Sequence, residues 1–203
     1  KSPDWLPDGS GLVFAEEDFQ SGLQGIFSLA FGSGLTTRLS DTGIEPQVNS
    51  TGTSVAFLDP TPDPSIPHDH LKVVPITGGN VTNLADTCYH FVWTTDGTDL
   101  VYDYSYSPAS FKPSDPGLRI CIIAATGGYP TKVVQGGSEP SVSATGRVAH
   151  RQVNGDIGQG IFAIYLDRSN FQQLTQEGAQ PCIKADGSQV AYSNGNGIWV
   201  VNP

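Results

Sequence analysis

The sequence contains no methionine, only three cysteines, and charged residues at only 15% of its 203 positions. Because an initiator methionine is missing, Lys1 is not a translation start, and we expect the chain to be a processed form or a fragment. No apolar run approaches the roughly 20 residues that a membrane-spanning helix needs, so no membrane span is predicted.

Basic residues are also scarce. The chain has 10 Lys and Arg against 20 Asp and Glu, which gives a net charge of −10. Because binding to nucleic acid requires clustered cations, the sequence predicts no nucleic-acid partner. The acidity fits neutral or cationic partners, and it equally fits a simple role in solubility.

A long amphipathic helical period is missing as well. Instead, 24 glycines and 15 prolines separate short apolar runs, and 37% of the residues are hydrophobic. This composition is too apolar for a disordered chain. Short apolar runs between Gly-rich turns are typical of all-β structure.

A seven-residue outline occurs five times, at intervals of roughly 40 to 50 residues. The copies are PDWLPDG, PQVNSTG, FVWTTDG, PSVSATG and PCIKADG, which end at Gly9, Gly52, Gly97, Gly146 and Gly187. An apolar strand follows each copy, then a second strand, a Gly- or Asn-containing turn and a short last strand. Each unit therefore predicts four strands, A to D, with tight A–B and C–D turns.

The units run approximately over residues 2–43, 44–88, 89–137, 138–178 and 179–203, and the last unit stops before its D strand. Four-stranded units of this size bury their faces by radial stacking. The sequence thus predicts a single all-β domain, a β-propeller of four-stranded antiparallel blades with five repeats visible, the last lacking its outer strand.

The outline resembles the TolB-type, WD-like propeller repeat, above all in unit one (PDWLPDGSGLVF) and unit five (PCIKADGSQVAY). Thr51 and Thr145 stand where that family usually has Asp, and Phe91 replaces a proline. The resemblance implies an extracytoplasmic scaffold, secreted or periplasmic, for protein contacts. It also implies six or more blades, which favours a fragment. The alternative is a five-bladed ring whose open edge strand pairs with another chain or forms a homo-oligomer.

Two proline-rich insertions between strands B and C, at residues 59–70 and 105–117, are candidates for a binding rim or ordinary surface loops. His68, Asp69 and His70 gather imidazole and carboxylate in the first insertion. Two histidines make a poor metal site, so neither a metal nor a cofactor is predicted. The aromatic candidates for stacking on a sugar face are Tyr104, Tyr106 and Phe111.

Other residues have mainly structural interpretations. Trp5 and Trp93 occupy the same position of strand A, where we expect packing between blades. Asp8, Asp96 and Asp186 are expected to hydrogen-bond their own turns. Cys121 lies in an apolar run and is expected to be a buried thiol, and the odd cysteine count predicts no particular disulfide.

Asn49 and Asn80 begin Asn-x-Thr sequons in predicted turns. We expect both to be exposed and therefore open to glycosylation if the protein is secreted from a eukaryotic cell.

The sequence supports two hypotheses of function. The first is a non-enzymatic propeller that binds a protein or glycan partner through its loop rim, with an assembly subunit as a variant of this role. The second is the propeller domain of an extracytoplasmic enzyme, either a prolyl-oligopeptidase-type peptidase or a metal-dependent lyase or glycosidase. The chain has no G-x-S-x-G nucleophile motif.

Overall fold

The computed structural model describes residues 3–18, 23–60, 69–104, 117–152 and 159–203. Within these ranges the chain forms β-strands and no helix, which confirms the predicted all-β class. Correspondingly, these ranges contain no helix with the length and apolarity that a membrane crossing requires.

The strands form five antiparallel sheets, which are the blades of the propeller. The first blade contains β1 (Asp4–Trp5), β2 (Gly11–Asp18), β3 (Leu23–Ala30) and β4 (Leu35–Ser40). The second contains β5 (Ile44–Val48), β6 (Ser54–Asp59), β7 (Asp69–Pro75) and β8 (Thr82–Cys88). The third contains β9 (Phe91–Trp93), β10 (Asp99–Tyr104), β11 (Arg119–Ala124) and β12 (Thr131–Gln135).

The fourth blade contains β13 (Gly137–Val142), β14 (Arg147–Gln152), β15 (Gly160–Tyr165) and β16 (Gln172–Gln173). The fifth contains β17 (Ala179–Ile183), β18 (Val190–Ser193) and β19 (Ile198–Val201). In every blade the strands pair in chain order, A to D, and the fifth sheet has three strands. The prediction of five repeats, the last without its outer strand, is confirmed.

The A–B turns are held by the aspartates that the sequence placed there. Asp8, Asp96 and Asp186 each accept a hydrogen bond from the backbone N–H two residues later, at 2.9, 3.1 and 2.9 Å. Glycine completes these turns: Gly97 has a φ of 71°, and a Cβ there would lie 2.9 Å from the Ser50 hydroxyl of the preceding blade. The repeated turn motif is therefore required both by backbone conformation and by close packing.

Four apolar clusters form the core, and each lies between two successive blades. The cluster between the second and third blades buries Trp93, Leu100 and Tyr102, which are 7%, 0% and 1% exposed. Burial of a large apolar side chain stabilises a fold by about 1.5–3 kcal/mol. The fold is thus stabilised by apolar packing between neighbouring blades, as expected for units that cannot bury both faces alone.

The A strands of neighbouring blades are also joined by side chains. The Asp4 carboxylate accepts a hydrogen bond from the Val48 N–H at 2.7 Å, and the Ser141 hydroxyl accepts one from the Ile183 N–H at 3.0 Å. Asp4 and Ser141 occupy the same position, five residues before the turn glycine. These contacts place the A strands side by side along the inner edges of the blades.

The expectation that both strand-A tryptophans pack between blades is wrong for one of them. Trp93 is buried, and its indole N–H donates a hydrogen bond to the Gln47 carbonyl of the preceding blade at 3.0 Å. Trp5 is 62% exposed and packs edge-on against Phe31, with ring centroids 5.5 Å apart. The reason is that this position faces the preceding blade, and among the described residues no apolar cluster joins the first blade to the fifth.

The three cysteines are free thiols. Cys121 is buried, as predicted, and so is Cys88, whereas Cys182 is exposed. Burial raises the pKa of the Cys121 thiol to about 11. This thiol is therefore neutral at physiological pH and forms part of the core.

Candidate functional site

One position of the repeat carries a polar side chain at the inner edge of four blades. It lies seven residues before the turn glycine, at the start of strand A, and is occupied by Glu45, His90, Glu139 and Gln180. Strand A runs antiparallel to strand B, so its start lies beside the end of B: Phe91 pairs with Tyr102. We call these four residues the inner-strand ring.

Three members of the inner-strand ring have an unusual backbone. Glu45, Glu139 and Gln180 have φ values of 51°, 54° and 51°, in the left-handed region that non-glycine residues seldom adopt. Each precedes a proline, and the pairing register of strand A shifts at each of them. Such bulges redirect side chains, and strained backbone of this kind is concentrated at functional sites.

The fourth member, His90, is held by a buried carboxylate. Asp103 is 0% exposed and accepts hydrogen bonds from the His90 N–H and from His90 Nδ1, both at 2.7 Å. It also accepts hydrogen bonds from the Tyr89 N–H at 3.2 Å and the Glu139 N–H at 3.1 Å. The buried charge is thus satisfied by four donors from two blades, as a buried carboxylate requires.

Glu139 continues this network into the next blade. Its Oε1 accepts a hydrogen bond from Arg151 Nη1 at 3.2 Å, and its Oε2 accepts one from the Gln180 N–H. A chain of charge-assisted hydrogen bonds therefore runs from the third blade through the fourth to the fifth, and it fixes the positions of three ring members relative to one another.

The surroundings of His90 raise its pKa above the ordinary histidine value. The hydrogen bond to Asp103 raises the pKa of His90; burial opposes the shift, and the negative charges of Asp103, Glu139 and Glu45 add to it. His90 nevertheless keeps half of its side chain exposed, at 51%. It therefore presents part of the imidazole to solvent beside the carboxylates.

Glu45 differs from the other carboxylates of the site. It is exposed, and no ion pair or side-chain hydrogen bond involves it among the residues that the structure describes. The ring thus combines one free carboxylate with a fixed imidazole and a fixed carboxylate. Such a set can bind a donor-rich or cationic group. Within the described ranges, no group of three His, Cys, Asp or Glu is placed to hold a metal ion.

The residues that the sequence singled out are divided between two blades. Asp69 and His70 begin β7, and His70 Nδ1 lies 3.5 Å from Asp86 Oδ1. Tyr104 ends β10, where the Arg119 guanidinium lies 5.8 Å from its ring centroid. His68, Tyr106 and Phe111 lie outside the described residues. The candidate binding rim, with ordinary surface loops as its alternative, stays a prediction.

The expectation that both sequon asparagines are exposed is wrong for Asn49, which is 3% exposed. Its Nδ2 donates hydrogen bonds to Thr53 Oγ1 and to the Gly97 carbonyl, both at 3.2 Å, and its Oδ1 accepts one from the Thr53 N–H at 2.9 Å. Both ends of the amide are used to hold an A–B turn against the next blade. Asn80 is exposed in a C–D turn, and its glycosylation stays a prediction.

Sequence reasoning missed the inner-strand ring. The seven-residue outline begins one residue after the ring position, so the outline does not include this column of the repeat. Comparing that column across units gives Glu, His, Glu and Gln, an excess of polar residues beside an apolar strand. The contribution of Asp103 was not visible, because only tertiary structure brings it to His90.

No family model and no curated protein matches this sequence. Solved structures do match it. A TolB from Acinetobacter baumannii is 15% identical with a TM-score of 0.66, over 98% of this chain and 50% of that one. An oligogalacturonate lyase in complex with manganese is 15% identical with a TM-score of 0.74, over 98% and 61%.

The β-propeller domain of the trilobed protease from Pyrococcus furiosus is 10% identical with a TM-score of 0.69, over 98% of this chain and 65% of that one. This chain thus spans about half to two thirds of the length of these three structures. Likeness at such low identity concerns the fold. The five blades, the repeat in the sequence and these structures agree: the chain has the TolB-like β-propeller fold.

Proposed function

We propose that this propeller is a non-enzymatic binding module, which holds a protein partner at the inner-strand ring through a cationic segment of that partner. The observation that carries the proposal is the repeated ring position. Four successive blades present Glu45, His90, Glu139 and Gln180 at one end of their inner strands, and three of the four sit on strained bulges. Strained backbone clusters at ligand-binding sites, so its repetition at this position supports the proposal.

Charge supports a cationic partner. The chain has a net charge of −10, and Glu45 is an exposed carboxylate beside the network of Asp103 and Glu139. A negative site on a negative protein attracts cations over long range and increases their association rate at low salt. Lysine and arginine side chains of a protein are the commonest such cations, whereas a neutral glycan gains nothing from this field.

The hydrogen bonds of Asp103 support binding rather than catalysis. Asp103 is saturated by four donors, so it has no free lone pair directed at a ligand as a general base. The enzyme hypothesis, as a peptidase propeller or a metal-dependent lyase, has no cluster of three metal-ligating residues in its favour among the described residues. We also propose an extracytoplasmic location, on the resemblance to TolB-type repeats.

Titration with tetralysine tests the proposal, with a neutral Gly-Ser tetrapeptide and a neutral tetrasaccharide as comparison ligands. Calorimetry at low ionic strength should show binding of tetralysine alone. Glu45→Gln should weaken this binding by about two- to fivefold, because one exposed charge pair contributes ~0.5–1 kcal/mol. Asp8→Asn is the matched control, since it removes one negative charge at the opposite end of a blade and keeps the turn.

Equal binding by Glu45→Gln and Asp8→Asn would show that only net charge attracts the peptide, and it would overturn the proposed site. Tighter binding of the neutral tetrasaccharide than of tetralysine would replace the protein partner with a glycan.

A further inference from the structure

A pocket lies between the second and third blades, away from the inner edges. It encloses about 350 Å³ between β8 of the second blade and β10, β11 and β12 of the third. Leu84, Tyr102 and Cys121 are among its lining residues and are 8%, 1% and 5% exposed, so they form an apolar floor. The volume falls at the small end of the range for ligand pockets, about 300–1,000 Å³.

Two cations flank this floor. Lys132 pairs with Cys121 across β11 and β12, and Arg119 lies two residues before Cys121 in β11, so all three share one face of the sheet. Both positive charges act on the Cys121 thiol and favour its ionised form. Both cations line the pocket beside this thiol, which is neutral and adds no negative charge, and Arg119 Nε also donates a hydrogen bond to the Gly117 carbonyl at 3.3 Å.

Negative charge is scarce in the wall. Asp86 is the one carboxylate among the described lining residues. Its Oδ1 accepts a hydrogen bond from Asn83 Nδ2 at 2.8 Å and lies 3.5 Å from His70 Nδ1. Asp86 is thus hydrogen-bonded within its own blade, and Lys132 forms no ion pair with any described residue.

The corresponding groove between the first and second blades provides an internal comparison. It also holds two cations, Arg38 and Lys72. Here, however, Arg38 Nε lies 3.1 Å from Asp41 Oδ1, and Lys72 forms a salt bridge with Asp59. The same architecture therefore neutralises its cations in one groove and leaves Lys132 without a carboxylate in the next.

We propose that the pocket between the second and third blades binds a small organic carboxylate with an apolar body. The carboxylate lies between Arg119 and Lys132, and the apolar body packs on Leu84, Tyr102 and the edge of Tyr104. Charge-assisted hydrogen bonds to the carboxylate provide orientation, and the buried floor selects against fully polar anions. This site is separate from the inner-strand ring and does not depend on the function proposed for that ring.

The test uses 3-phenylpropionate and its neutral amide, 3-phenylpropionamide, which have nearly the same shape. Titration of the whole chain, followed by amide NMR shifts, should show the carboxylate binding at least about tenfold tighter than the amide. The shifts should be centred on Ala85, Cys121 and Lys132. Lys132→Gln should weaken binding of the carboxylate about fivefold or more, and Lys132→Arg should restore most of it.

Lys184→Gln is the matched control, because it removes a surface cation of the fifth blade that is already paired with Asp186. Equal affinity for acid and amide, equal effects of Lys132→Gln and Lys184→Gln, or shifts centred on Glu45 and His90 would each overturn the proposal. Displacement of the probe by an equal concentration of inorganic phosphate would overturn the apolar selectivity. Lys132 is exposed, so loss of folding in its variants is not expected.

Discussion

The carboxylate of Asp103 accepts hydrogen bonds from both the backbone N–H and the side-chain Nδ1 of His90, each at 2.7 Å. The two residues are thirteen positions apart: Asp103 lies in β10, and His90 lies immediately before β9 of the same blade. Because Asp103 also binds the Glu139 N–H, this pair connects the imidazole of one blade to the inner strand of the next. It is the central connection of the inner-strand ring.

Replacing Asp103 with Asn is expected to lower the pKa of His90. The present shift is upward and is caused first by the hydrogen bond to Asp103. A raised folded-state pKa means that this pair stabilises the fold below the ordinary histidine value near 6.5 and loses that contribution as pH rises through the folded-state pKa. NMR titration of the imidazole protons measures the change directly.

Glu139→Gln serves as the comparison for Asp103→Asn, since it removes a charge near His90 without touching its hydrogen bond. A His90 pKa that falls equally in both variants would contradict the assignment of the main cause to Asp103.

Acidification should destabilise the protein through His150. This imidazole is 0% exposed and stacks on Phe162 with ring centroids 6.0 Å apart. Burial lowers its pKa from 6.5 to about 4. The unfolded chain takes up a proton below pH 6.5 and the folded chain only near pH 4, so stability is lost between these values. The free energy of unfolding falls by about 3 kcal/mol over this range.

The measurement is urea unfolding at pH 7.5 and pH 4.5 for the wild type and for His150→Phe, which preserves ring stacking and cannot titrate. The variant should lose less stability on acidification. The same acid-induced loss in both proteins would show that other groups dominate.

Arg168→Gly is expected to stabilise the fourth blade. Arg168 lies exposed in a C–D turn with a φ of 71°, a conformation that costs a side-chain-bearing residue about 1 kcal/mol and costs glycine little. For a domain of this size we expect the melting temperature to rise by about 2–4 °C. Arg168→Ala, which removes the charge and keeps the Cβ, should show no such increase. A higher melting temperature in both variants would show that removal of the charge, and not the backbone conformation, causes the increase.

The repeat made the architecture predictable, because each unit shows the same pattern of turns and strands. Five copies at similar intervals make the assignment of four-stranded blades stronger than any single copy does. The aspartate turns, the buried Cys121 and the three-stranded last blade all followed from local patterns. Local patterns failed where a residue's environment comes from a neighbouring blade. Trp5 and Trp93 share a sequence position and differ only in whether another blade covers them.

The sequence by itself therefore determined the fold class, the five repeats visible in this chain and the turn chemistry, since these depend on short-range periodicity and on backbone preferences of glycine, asparagine and aspartate. Tertiary structure alone decided the site. It brought Asp103 to His90, Glu139 to Gln180, and Arg119 and Lys132 to one pocket wall, because these contacts depend on strand register and on packing between blades. The spacing of residues along the chain does not show which side chains meet across neighbouring strands or between neighbouring blades.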